Sequence, residues 1–65
     1  MKLYNELKKF REDKNITQEQ LAEAVGVSRQ TIIAIEKGNY TPSLALGMQL
    51  AAYFKVAIDS VFRLK

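Results

Sequence analysis

Thr17-Gln18-Glu19-Gln20-Leu21-Ala22-Glu23-Ala24-Val25-Gly26-Val27-Ser28-Arg29-Gln30-Thr31-Ile32-Ile33-Ala34-Ile35-Glu36 reads as two short helices joined by a tight turn. Thr17 suits the N-cap of the first, and Gln20 three residues on completes a capping-box pattern. Leu21, Ala22 and Val25 then recur at helical spacing. Gly26 follows at once and can take a positive φ without a Cβ clash, so the chain can turn sharply there. Val27 is apolar and fits the angle between the helices. Ser28 is a good N-cap for the second helix. Thr31, Ile32 and Ile35 carry an apolar stripe along it, and Lys37-Gly38-Asn39 stops it. A cap, a short helix, a glycine turn, a cap and a second helix make up the order of a helix-turn-helix unit.

Upstream, the spacing of Leu3, Leu7 and Phe10 predicts a first helix over Met1–Lys14, with Lys8, Lys9, Arg11, Glu12 and Asp13 on its other faces. The reading also leaves Met1–Tyr4 open to an extended or frayed start. Asn15 suits the helix stop because asparagine tolerates the left-handed conformation. Ile16, just before Thr17, suits a hydrophobic staple. Downstream, Gly38–Pro42 is a loop, since Pro42 disfavours helix at Thr41. Ser43 caps a fourth helix carrying Leu44, Met48, Leu50, Ala51 and Phe54. Gly47 inside that helix costs about 1 kcal/mol relative to alanine, and the expected return is close approach of a neighbouring backbone. Lys55 ends the helix without a glycine. Beyond it, Ile58–Phe62 fits one last helical turn, while Val61–Lys65 alternates as a short strand would. Both readings stand at this level. Phe54, Ile58 and Phe62 are expected in the core.

The 65 residues are read as one domain spanning residues 1–65, with no repeat, low-complexity tract or linker. A chain this short buries only roughly 60% of its unfolded surface, so stability is marginal without added burial. There is no cysteine and no histidine. Disulfides, thiolate metal sites and histidine-based catalysis are thereby excluded. Neither a Ser-His-Asp nor a Cys-His arrangement can be drawn, and no glycine-rich loop has phosphate-cradling spacing before a helix. Carboxylate pairs such as Glu12-Asp13 and Glu19/Glu23 read as solvated faces. The sequence therefore points away from an enzyme, a cofactor, a metal or a small-molecule ligand. Ten Lys and Arg against seven Asp and Glu give a net charge of +3, a modest excess whose placement matters more than its size. No apolar run approaches the roughly 20 residues that span a bilayer, and no signal-peptide core opens the chain, so the expected location is cytoplasmic.

A second helix that projects from the domain would present its first residues outward, at its positive dipole end. Arg29 can bond guanine bidentately, Gln30 can do the same to adenine, and the Thr31 methyl can pack on a thymine methyl. The helix starts at Gln18 and Ser28 offer backbone N–H groups to phosphates. Lys37, Asn39 and Tyr40, just past the second helix, are within reach of the flanking backbone. The implied partner is double-stranded DNA.

From Leu7 to Phe62 the chain resembles the Cro/repressor-type, or XRE, helix-turn-helix family. The matching strings are Phe10–Ala22, Gly26–Ile32, Ile35–Gly38, Thr41–Leu44 and the tail Val56–Phe62. The resemblance implies an all-α, compact five-helix, lambda-repressor-like domain whose second and third helices form the DNA-binding unit. It also implies that Gln18 contacts a phosphate and braces the reading side chains. Arg29, Gln30 and Thr31 match base-contacting positions. Ala34 stands where a longer polar reader often sits, which concentrates readout at the helix start. Arg11 and Glu36 match a pair that commonly forms a salt bridge. Ala57, Gly47 and Lys55 depart from the usual serine, alanine and glycine.

The C-terminal third holds more apolar surface than one face of so small a domain needs. Tyr53, Val56, Val61 and Leu64 are expected to pair two protomers about a two-fold axis, setting two recognition helices about one DNA turn apart. The leading function is thus a sequence-specific transcriptional regulator, a repressor that occupies a promoter. The alternative is an antitoxin-like interaction module with autoregulatory DNA binding, although the toxin-binding extension such relatives usually carry is not visible after Phe62.

Overall fold

A computed structural model describes all residues, Met1–Lys65. Five helices are closed off by a two-stranded sheet: β1 (Leu3–Asn5), α1 (Leu7–Asp13), α2 (Gln18–Val25), α3 (Arg29–Glu36), α4 (Leu44–Phe54), α5 (Ile58–Val61) and β2 (Phe62–Leu64). None of these helices is long and apolar enough to cross a membrane.

The helix starts follow local chemistry. Thr17 and Gln20 form a full capping box: the Thr17 hydroxyl accepts from the Gln20 N–H at 3.0 Å, and the Gln20 side chain accepts from the Thr17 N–H at 2.8 Å. Ser28 and Ser43 each accept from the N–H three residues on. The helix ends share one device. Asn15, Gly26, Gly38 and Lys55 all take positive φ. After each, the next N–H reaches back five residues to a carbonyl of the preceding helix, as in Val27 to Ala22 at 3.0 Å. Lys55 does this with a Cβ in place, at φ 58°.

The first helix is shorter than its apolar spacing predicts. Leu3 stands four residues before Leu7, in helical phase, yet Leu3–Asn5 is a strand. It pairs antiparallel with Phe62–Leu64 in the register Leu3↔Leu64, Tyr4↔Arg63 and Asn5↔Phe62. Lys2 and Lys65 extend the ladder with reciprocal bonds of 2.7 and 2.9 Å. This tertiary pairing outweighs the local helical pattern. Asn5 then starts α1: its side-chain oxygen accepts from the Leu7 N–H at 3.1 Å. The two readings of the tail prove to be successive, with a helical turn over Ile58–Val61 and a strand from Phe62.

The core is apolar throughout. Leu7, Leu21, Ile32, Ile35, Leu50 and Val61 are completely buried, with Ala22, Leu46 and Ala51 beside them. Each helix contributes to it, so α2 and α3 are held by burial rather than by their own marginal length. Three expectations need correction. Val61, expected at a protomer interface, is 0% exposed and belongs to the core, because α5 turns it under α4. Ile58, expected in the core, is 38% exposed. Gly47 does not admit a neighbouring backbone. A Cβ there would meet the Ile58 and Phe62 side chains at 3.5 and 3.8 Å, ordinary contact distances.

Candidate nucleic-acid interface

The α2–turn–α3 unit presents the first turn of α3 outward. Ile32 and Ile35 anchor one face of α3 in the core, and Arg29 and Gln30 are exposed on the other side of its start. Thr31 is half-buried, and its hydroxyl lies 3.1 Å from that of Ser28. Ser28 itself is exposed and accepts from the Thr31 N–H. With Ser28 as cap, the amides of Arg29 and Gln30 have no partner within the helix. The amides of Gln18 and Glu19 stand likewise at the start of α2. Both helix starts border one groove, and their positive ends are suited to anionic oxygen.

A groove runs beside this tip, lined by α1, the start of α2 and the outer flank of α3. Gln18, Arg29 and Lys37 share it, together with Lys8, Arg11, Ile33 and Glu36. Arg29 opens α3 and Lys37 is its C-cap, eight residues on, which corresponds to about 12 Å along the axis and compares with a B-DNA major groove about 12 Å wide. Gln30, Thr31 and Ser28 lie outside the groove lining, on the tip. Asn39 and Tyr40 are exposed in the α3–α4 loop, apart from both.

Beneath the groove, Glu36 is the hub. Its carboxylate accepts from Arg11 Nε at 2.7 Å, from Arg11 Nη2 at 3.2 Å and from Gln18 Nε2 at 3.1 Å. Arg11 Nη1 also donates to the Ile16 carbonyl at 3.0 Å. Both charged side chains are nearly buried. The bond to Glu36 holds the Arg11 guanidinium above its ordinary pKa, with burial opposing. This network ties α1, the start of α2 and the end of α3 into one rigid seat. Gln18 is therefore braced by its side-chain bond to Glu36. A second tie was not read from sequence: the Asn5 amide donates to the Ile35 carbonyl at 2.8 Å, pinning the end of α3 to β1.

Lys8 and Ile33 also line the groove, outside the sequence-derived candidate set. Lys8 sits in the basic run of α1, and Ile33 is an isoleucine out of phase with Ile32 and Ile35.

Residues 7–61 match the model of a helix-turn-helix family. The chain is 57% identical over 58 residues to the uncharacterized HTH-type transcriptional regulator MJ0272 of Methanocaldococcus jannaschii, covering 89% of this chain and 88% of that one. It is 44% identical over 61 residues to the uncharacterized HTH-type transcriptional regulator YgzD of Bacillus subtilis, covering 94% and 92%. Among solved structures, the restriction-modification controller protein C.AhdI of Aeromonas hydrophila superposes with a TM-score of 0.77 at 28% identity, covering 83% of this chain and 82% of that one.

Proposed function

Because the chain belongs to the XRE-type helix-turn-helix family of transcriptional regulators, we propose that it binds a specific double-stranded operator as a homodimer and represses by occupying a promoter. One observation carries the reading: Arg29 and Gln30 are exposed at the first turn of a helix whose opposite face is locked into the core. Those two side chain types read guanine and adenine edges in the major groove. The open amides of Gln18 and Arg29, with Lys37, Asn39 and Tyr40 at the far end, supply phosphate contacts that set the register. Binding DNA implies a cytoplasmic protein. Promoter occupancy needs only this surface, whereas activation needs a further contact with the transcription machinery.

The homodimer is supported by apolar side chains left in water. Leu44, Met48 and Leu64 are 74, 57 and 62% exposed. Leu44 and Met48 share a face of α4 by their four-residue spacing. Ile58 continues that flank next to Gly47. Tyr53 and Val56 are half-buried against the core and offer only their edges. We assign the two-fold contact to Leu64 and this α4–α5 flank, with Tyr53 and Val56 at its margin.

Selection of bound sequences from a random duplex pool tests the reading. Enrichment of a two-fold site with half-sites about one helical turn apart is expected. A pool that stays random overturns it.

A further inference from the structure

Ile33 is the one large apolar side chain of α3 outside the core. Ile32 and Ile35 are completely buried, and the half-buried apolar residues packed on the core include Val25 and Val27 but not Ile33. Ile33 instead lines the groove beside Arg29 and Lys37, one helical turn from each. Apart from Ile16, every other residue of that groove is polar or charged. A β-branched side chain there has few rotamers, so it presents a fixed apolar surface at little entropic cost. Its Cα–Cβ bond tilts toward the helix N-terminus and therefore toward the Arg29 end.

The major groove offers one apolar substituent for such a surface, the thymine 5-methyl group. We propose that Ile33 reads a thymine methyl, within about two base pairs of the base bound by Arg29. The four residues from Arg29 to Ile33 advance roughly 6 Å, against about 3.4 Å per base step. The inference rests on the DNA-binding reading above and adds a second reading position. In this assignment the polar reader missing at Ala34 is replaced by apolar readout from the neighbouring residue.

The test uses the selected duplex with each thymine replaced singly by deoxyuridine, which removes only the methyl. Wild-type protein should lose roughly three- to tenfold in affinity at one thymine in each half-site, the loss expected for an unburied methyl pair. Ile33→Ala should bind the thymine duplex as weakly as wild type binds the uracil duplex, and should lose nothing further on uracil. Ile33→Val, which keeps the β-branch, should retain part of the methyl dependence. Melting curves of both variants establish that they fold. An enriched site at which no uracil substitution matters overturns the inference and leaves the DNA-binding reading intact. The same holds if Ile33→Ala lowers the melt but keeps the methyl dependence, since Ile33 then only shields the ion pair beneath it. A pool that enriches no sequence overturns both.

Discussion

Arg11 and Glu36 are 25 residues apart in the chain, and their side chains meet at 2.7 Å at the base of the groove beside the start of α3. The contact joins α1 to the end of α3, and Gln18 joins the same carboxylate. The angle of α3 therefore depends on a polar network as well as on the buried Ile32 and Ile35 behind it. A nearly buried pair of this kind adds little net stability over an apolar pair, but removing one partner strands the other.

Arg11→Ala should accordingly destabilise by about 2 kcal/mol or more, lowering Tm by roughly 10 °C in a chain of this size. The pH course follows from the raised Arg11 pKa. A folded value above the unfolded one means the contribution is fully present below arginine's ordinary range and is lost only as pH rises through it. Thermal melts across neutral pH should show no transition attributable to Arg11. An unchanged Tm in the variant would count against the network.

Arg29 and Lys37 should separate reading from anchoring. Arg29→Ala should cost roughly 1–3 kcal/mol on the selected site and relax preference at one base pair. Lys37→Ala should weaken specific and random duplexes alike and reduce the salt slope by about one. Fluorescence anisotropy at several salt concentrations measures both. Equal losses on all sequences for Arg29→Ala would remove it from the reading set.

Three backbone positions should respond in opposite senses. Lys55→Gly relieves a left-handed residue of its Cβ clash and should stabilise by about 1 kcal/mol after the larger unfolded-state entropy of glycine is counted. Gly47→Ala should also stabilise, by roughly 0.5–1 kcal/mol, since the added methyl meets only ordinary contacts. Gly26→Ala should destabilise by roughly 1–2 kcal/mol, because φ there is 75°. Denaturant titrations rank the three.

Val61 and Leu64 lie three residues apart and should behave differently. Val61→Ala opens a cavity in the core and should cost about 2 kcal/mol. Leu64→Asp should leave the monomer folded and shift a two-fold assembly toward single protomers in sedimentation. If the wild-type protein sediments as a monomer at high micromolar concentration, with one protomer per DNA site, the homodimer fails.

What could be read from the chain alone was whatever is decided within a few residues. The caps at Thr17, Ser28 and Ser43 bond the N–H three residues on, and Asn15, Gly26 and Gly38 turn the backbone by their own conformational preference. Helical spacing marked Leu21, Ile32, Ile35 and Leu50 as core for the same reason. Interactions across the molecule were settled only by the folded structure. Leu3 fits a helix by spacing and becomes a strand because its partner, Leu64, arrives from the other end of the chain. Asn5 gains its role from the Ile35 carbonyl 30 residues away. Val61 and Ile58 exchange expected places, one drawn into the core and one left exposed, because helix packing decides which side of an apolar residue is covered. A local pattern shows that a side chain prefers burial; only the neighbouring elements determine whether anything is there to bury it.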